Sequence, residues 1–156
     1  MLSNLINPAN IIVGLESEEK EECFAELLEV LVAADPKLDR RAALDALISR
    51  EDKKSTAVFP FVAVPHAVSD SLSKTAVAIG ISRSGIEFEP VNPDDSKKNP
   101  IVNIVFEILF DGKDAEGHLH VLRDILQLVI HPDFVNSVKK AQTPKEVYDI
   151  ILSLEG

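Results

Sequence analysis

The chain has 156 residues, of which 16 are basic and 26 acidic, so its formal net charge is −10 at pH 7. This length suits one domain with a full hydrophobic core, since domains cluster at about 100–150 residues. The acidic balance argues against a nucleic-acid-binding protein, and a single cysteine excludes a disulfide scaffold. No apolar run reaches the roughly 18 residues of a membrane span, and no signal-peptide pattern opens the chain, so we expect a cytoplasmic protein.

Two helices are predicted in the first third of the chain. The first covers residues 17–34, with Ser17 as its cap and Asp35-Pro36 as its stop. Its buried stripe follows the i, i+3, i+4, i+7 spacing and consists of Phe24, Leu27, Leu28 and Leu31. The second helix begins after Asp39 and ends near Arg50. The short loop between the helices indicates that they lie together.

Extended segments follow in the middle of the chain. Residues 56–64 are rich in β-branched and aromatic side chains but contain Pro60, which predicts a short edge strand or an extended loop. Residues 75–82 and 101–110 are short apolar runs typical of buried strands. Between them, residues 89–100 contain three prolines and several charges, which indicates an exposed loop.

Helical periodicity returns after Asp111-Gly112. The inner face of the predicted helix comprises His118, Leu122, Ile125, Leu126 and Val129. Pro132 ends or restarts this helix, and a last helix opens at Thr143-Pro144, where the threonine can act as cap. Helices on both sides of a run of strands predict a single α/β domain over residues 1–156.

The common catalytic motifs are missing from the sequence. The six glycines are scattered, so no phosphate-binding loop is predicted, and no Gly-x-Ser-x-Gly is present. His118 and His120 are two residues apart and would point to different faces of a helix, which excludes a shared metal ion. Cys23, beside the apolar stripe of the first helix, is interpreted as a small core residue. We therefore expect no metal or cofactor site.

Three residues are candidates for chemistry, and each also has a plainer interpretation. His66 follows Pro65, which stiffens the backbone where an extended segment ends, so its imidazole could act as a nucleophile or base or be merely a polar loop residue. His118 is either a second site histidine or a hydrogen-bonded core residue. Arg50 is either an anion clamp or a partner of the helix dipole.

Ordered motifs then connect these residues to a known family. Ser49-Arg50-Glu51, Ser55-Thr56 and Ala63-Val64-Pro65-His66-Ala67 together resemble the fructose/mannitol-type enzyme IIA domain of the bacterial phosphoenolpyruvate:sugar phosphotransferase system. Residues 117–122 resemble the second-histidine helix of that family, and residues 134–152 resemble its C-terminal end. The resemblance covers nearly the whole chain in the right order.

The resemblance implies a fold and a function. The fold would be a central mixed β-sheet covered by helices. His66 would accept a phosphoryl group from phospho-HPr and pass it to a cysteine of an enzyme IIB, with Arg50 and His118 as the supporting arginine and second histidine. Such direct transfer needs no cofactor, and an apolar rim including Phe59 and Phe61 is a candidate docking surface, although both phenylalanines could equally be core residues.

One segment departs from the family pattern. The family commonly has glycines between the threonine and the Pro-His pair, where this chain reads Ala57-Val58-Phe59-Pro60-Phe61-Val62. Because glycine permits a positive φ, the bulky replacements predict an altered loop or partner surface. This departure motivates the alternative function, a regulatory interaction module of the same fold that controls a partner protein.

Overall fold

A mixed sheet of five strands forms the centre of the molecule. The structure, a computed structural model, describes residues 1–92 and 98–155. Strands β1 (Ile11–Val13), β2 (Val62–Ala63), β3 (His66–Val68), β4 (Ala76–Glu87) and β5 (Ile101–Phe110) have the order β1-β4-β5-β2, with β3 following β2 along the same edge of β5. Strands β4 and β5 are antiparallel, whereas β1, β2 and β3 each pair in parallel. The predicted α/β class with a mixed sheet is confirmed.

Helices cover both faces of the sheet. Helices α1 (Lys20–Ala34) and α2 (Arg40–Lys53) lie on one face, and α3 (Ala115–Val129), α4 (Phe134–Lys140) and α5 (Pro144–Glu155) lie on the other. Strand β5 is buried on both faces, so its side chains contribute to both hydrophobic cores. None of the helices within the described residues is long and apolar enough to cross a membrane.

The observed elements correct several predicted boundaries. The first helix begins at Lys20, because Glu19 and Glu22 form its capping box, and the Ser17 hydroxyl hydrogen-bonds Glu26 instead of capping the helix. Strand β1 was not predicted, since three apolar residues are too short a pattern. Of the predicted loop at 89–100, residues 93–97 lie outside the described part of the chain.

The central strand also contains an unusual acid. Glu107 on β5 is fully buried, and neither carboxyl oxygen has a hydrogen-bond partner within the described residues. Burial raises the pKa of Glu107 well above its ordinary value, because the charged form cannot be hydrated there. The neighbouring Cys23 thiol is likewise buried, and its pKa is also raised by burial, which makes it unreactive as a nucleophile.

Replacing Glu107 by methionine should increase the free energy of unfolding at neutral pH by about 1–3 kcal/mol, since an unpaired buried polar group is removed. The folded protein keeps a proton that the unfolded chain releases above pH about 4.3. The stability of the wild type therefore falls with rising pH relative to the variant, so the gap should widen between about pH 4 and pH 8. Urea unfolding across that range measures it.

The matched control is Glu87→Met, which removes an exposed carboxylate from β4. Its stability difference from the wild type should not widen in the same way. A Glu107→Met variant that is less stable than the wild type at neutral pH would contradict the prediction.

Candidate functional site

His66 lies on the edge of the sheet, at the first residue of β3. The Pro65 carbonyl accepts a hydrogen bond from Ile108 N at 2.9 Å, so the backbone just before His66 is attached to β5. We predicted a loop after a strand, but the sheet instead continues through His66. The reason is that β2 and β3 are separated only by Val64-Pro65 and pair with one continuous strand.

The imidazole of His66 is held in one orientation by the segment before it. Nδ1 lies 2.8 Å from the Val64 carbonyl oxygen, and because a carbonyl only accepts, Nδ1 is the nitrogen that carries the proton. The ring also makes an edge contact with Phe110, with 6.0 Å between centroids. Nε2 therefore keeps its lone pair, and it has no hydrogen-bond partner within residues 1–92 and 98–155.

The surroundings of His66 favour its neutral form. Burial lowers the pKa of the imidazole, and the positive charge of Arg50 acts in the same direction. The hydrogen bond to Val64 and the negative charge of Glu51 oppose these effects without reversing them. His66 is thus a neutral imidazole near pH 7, as a nitrogen nucleophile requires.

Helix α2 supplies positive charge to the same place. His66 opens onto a cleft of about 430 Å³ between α2, β3 and α3, and Arg50 and Lys53 lie on its α2 side. Arg50 donates from Nη1 to the Lys54 carbonyl at 2.8 Å, and no carboxylate of the described residues forms an ion pair with it. No acidic residue lines the cleft among the described residues. A protein of net charge −10 therefore has a locally basic cleft.

His118 enters the cleft from α3. Its ring stacks on Phe110, with 4.0 Å between centroids and 24° between the ring planes. Its Nε2 is buried and lacks a hydrogen-bond partner within the described part of the chain. Phe110 thus contacts both histidines and fixes the distance between them.

The cleft brings together the three residues singled out from the sequence, His66, His118 and Arg50. Sequence reasoning missed Lys53 and Phe110. Lys53 could have been found, because it follows Arg50 by three residues and shares its helix face. Phe110 could not, since only strand pairing brings the end of β5 beside β3.

Comparison with known proteins identifies the family. The family model for "Phosphoenolpyruvate-dependent sugar phosphotransferase system, EIIA 2" matches residues 4–154. The chain belongs to this family. It is 33% identical over 132 residues to the fructose-specific EIIA component of Haloferax volcanii, which covers 85% of this chain and 82% of that protein.

Solved structures of the EIIA type share the fold. The nitrogen regulatory protein IIA-Ntr from Neisseria meningitidis has a TM-score of 0.82 at 21% identity, covering 96% of this chain and 98% of that chain. A complex of enzyme IIAMTL and phosphorylated enzyme IIBMTL from Escherichia coli has a TM-score of 0.76 at 20% identity, covering 95% and 97%. At these identities the likeness concerns the fold alone.

The segment that departs from the EIIA pattern keeps a glycine-like backbone. Phe61 has φ of +69°, the left-handed region that normally favours glycine. Its carbonyl accepts hydrogen bonds from Asn103 N at 2.9 Å and Ile104 N at 3.0 Å, which hold this conformation despite the bulky side chain. The expected change is therefore in the side-chain surface rather than in the left-handed backbone.

The sequence left Phe59 and Phe61 either as part of a docking rim around His66 or as core residues, and neither of them lines the cleft. Phe59 packs partly buried against the core, and Phe61, although 47% exposed, lies against Lys139 and does not line the cleft. Phe61 is hydrogen-bonded at Asn103 and Ile104, whereas His66 pairs with Ile108, so the two lie at different levels of β5. An apolar stripe lies instead along α3 and at the residue after its end: Leu119, Leu126 and Ile130 are exposed, and Leu122 between them is half-buried against the core.

Arg50→Gln should raise the pKa of His66 toward the ordinary value of about 6.5, because a neighbouring positive charge disfavours imidazolium. The wild-type midpoint should lie below about 6.5 in an NMR titration of the imidazole protons. Arg41→Gln, which removes an exposed charge at the other end of α2, is the matched control. An unchanged His66 midpoint in Arg50→Gln would rule out the assigned charge effect.

Proposed function

We propose that this EIIA-family chain is a histidine phosphocarrier and that the phosphoryl group is carried on His66 Nε2. The observation that supports it is the hydrogen bond from Nδ1 to the Val64 carbonyl, which leaves the Nε2 lone pair available beside a basic cleft. An imidazole in this state is a competent nucleophile at neutral pH. The whole of residues 1–156 would act as one carrier domain.

The transfer proceeds by two displacements. The Nε2 lone pair forms a bond to phosphorus of a donor phosphohistidine, while the donor N–P bond breaks and its electron pair stays on the donor imidazole. In the second step, a cysteine thiolate of the acceptor forms an S–P bond, the Nε2–P bond breaks, and the lone pair returns to Nε2. Nδ1 keeps its proton throughout, held by Val64.

The cleft supplies what phosphoryl transfer needs, which is positioning and charge stabilisation. Arg50 has guanidinium donors beyond the one given to Lys54, and Lys53 adds a second positive charge. A phosphoryl oxygen would give the unpaired Nε2 of His118 a hydrogen-bond partner. No group of His, Cys, Asp or Glu that could hold a metal ion is found within residues 1–92 and 98–155.

The partners proposed are HPr as donor and an enzyme IIB as acceptor. EIIA-type structures include one solved with a phosphorylated enzyme IIB, which supports the acceptor. The apolar stripe along α3 reaches the cleft at the half-buried Leu122, and its exposed residues Leu119, Leu126 and Ile130 offer an apolar docking surface. A carrier between these partners would act in the cytoplasm.

Sugar transport is the favoured role, with fructose as the first sugar to test, because a relative 33% identical is a fructose-specific EIIA component. The alternative is a regulatory module that controls a partner protein. Its support is the likeness in fold to a nitrogen regulatory protein. A transport component passes phosphate through its enzyme IIB to a sugar, and a regulatory module does not. Phosphorylation of fructose in the presence of cognate membranes separates the two roles.

Phosphorylation at His66 is tested by intact mass after incubation with phosphoenolpyruvate, enzyme I and HPr. The wild type should gain one acid-labile phosphoryl group, and His66→Ala should gain none, because the nucleophile is missing. His120→Ala, which removes an exposed histidine of α3 outside the cleft, should behave as the wild type. A wild type that stays unmodified, or a His66→Ala variant that is modified, would refute the carrier function.

Replacing His118 by alanine should slow onward transfer to enzyme IIB by about 10²-fold, the usual loss when one donor to a transition-state oxygen is removed. Arg50→Ala should slow transfer in both directions. Quenched-flow transfer rates measure both effects, with the melting temperature as the check on folding. A His118→Ala variant whose transfer loss is matched by a large drop in melting temperature would indicate a purely structural role for that ring.

A further inference from the structure

A buried polar pair lies behind the cleft and is not used in the chemistry described above. Glu51, 4% exposed, accepts hydrogen bonds from Thr56 N at 2.7 Å and from Thr56 Oγ1 at 2.6 Å. Thr56 is itself 2% exposed. Neither residue lines the cleft. Burying a carboxylate costs free energy because it loses its hydration. Here both carboxylate oxygens accept hydrogen bonds from one threonine, and these bonds offset that cost.

The pair is connected to His66 through the backbone. The Thr56 carbonyl accepts hydrogen bonds from Val58 N at 2.8 Å and from Val64 N at 3.0 Å. The Val64 carbonyl in turn accepts from His66 Nδ1 at 2.8 Å. Three sets of hydrogen bonds, joined through the covalent backbone of Thr56 and of Val64, therefore lead from Glu51 to the imidazole.

The same segment also holds Arg50. Glu51 is the next residue on α2, and Arg50 Nη1 donates to the Lys54 carbonyl, so two adjacent α2 side chains bind the chain that follows the helix. Thr56 is thus attached to the end of α2 on one side and to the Val64 peptide on the other. The His66 ring and the Arg50 guanidinium are therefore both hydrogen-bonded to backbone carbonyls within residues 54–64.

We propose that Glu51 and Thr56 are positioning residues: their hydrogen bonds fix the backbone of Val64 at its N–H, so that the Val64 carbonyl holds the Nδ1–H form of His66 and presents Nε2 to the cleft. The proposed effect on the rate of transfer rests on the proposed phosphocarrier function. The proposed effect on the His66 tautomer does not depend on that function. The tautomer can therefore be measured in the unmodified protein, and the rate in the transfer reaction.

The main variant is Thr56→Val, which keeps the shape of the side chain and the backbone bond to Glu51 but removes the hydroxyl donor. The fraction of His66 carrying its proton on Nδ1, measured by long-range ¹H–¹⁵N NMR, should fall. Acceptance of phosphate from phospho-HPr should slow about tenfold, since a 1 Å misplacement of a reacting group can cost about 10²-fold. Thr56→Ser restores the hydroxyl and should return both quantities to within about twofold of the wild type.

A matched control separates positioning from general loss of stability. Thr143→Val removes the threonine whose Oγ1 accepts from Glu146 N at the start of α5, away from the cleft. It should lower the melting temperature through a lost helix cap and leave the tautomer and the transfer rate unchanged.

A second variant covers the case in which Thr56→Val does not fold. The double substitution Glu51→Met with Thr56→Val removes the carboxylate and the hydroxyl together; the backbone N–H of position 56 loses its acceptor, which costs less than leaving the buried carboxylate short of a donor. It should fold, and it should lose the Nδ1–H preference and transfer rate as Thr56→Val does. Wild-type tautomer and rate in the folded double variant would overturn the proposal.

The two proposals fail in different ways. A wild type that phospho-HPr does not phosphorylate would refute the phosphocarrier function. The positioning role would still be tested by comparing the His66 tautomer of the wild type with that of Thr56→Val by NMR. A wild type that is phosphorylated normally, with a Thr56→Val variant that matches it in tautomer and rate, would refute the positioning role alone.

Discussion

The pairing of β2 and β3 with one edge of β5 is the constraint on which the site depends. Because both short strands follow the same partner in parallel, Val64-Pro65 is held between two ladders and His66 starts a strand instead of ending a loop. As the edge strand, β3 has no neighbour on its other side among the described strands, which leaves room for side chains from α2 and α3.

The electrostatics of the cleft run against those of the whole protein. The chain carries a net charge of −10, yet the cleft contains Arg50 and Lys53 and, within the described residues, no carboxylate. Burial and the positive charge of Arg50 both lower the pKa of His66 and so favour its neutral form. In the proposed function the same positive charge would attract a phosphoryl group. Activation of the proposed nucleophile and binding of the proposed anion would thus have a common physical origin.

Two buried glutamates, Glu51 and Glu107, offset the free-energy cost of burying a carboxyl group in different ways. Glu51 has both oxygens hydrogen-bonded to Thr56, which is connected through Val64 to His66 at the cleft. Glu107, on the central strand, has no partner among the described residues and holds a proton instead, as its raised pKa indicates. The first stabilises a defined geometry, whereas the second lowers stability as the pH rises.

The amino-acid sequence by itself determined the α/β class, most of the helices and the long strands, because apolar periodicity, prolines and caps act locally. Residues 101–110 form β5 as predicted, and α1 ends at Ala34 before Asp35-Pro36, where the stop signal placed it. Local pattern also singled out His66, Arg50 and His118 individually, and the family resemblance gave them roles. Local pattern alone could not show that these three residues share a cleft.

Tertiary structure alone decided what depends on contacts between distant segments. The strand character of His66, its protonated nitrogen and its neighbour Phe110 follow from pairing with β5, some forty residues further along the chain. Ser17 failed as a cap because Glu26 competes for its hydroxyl, and Phe61 adopts a glycine-like φ because β5 holds its carbonyl. These features depend on hydrogen bonds and burial between segments that are distant in the sequence, and a local sequence pattern does not predict such contacts.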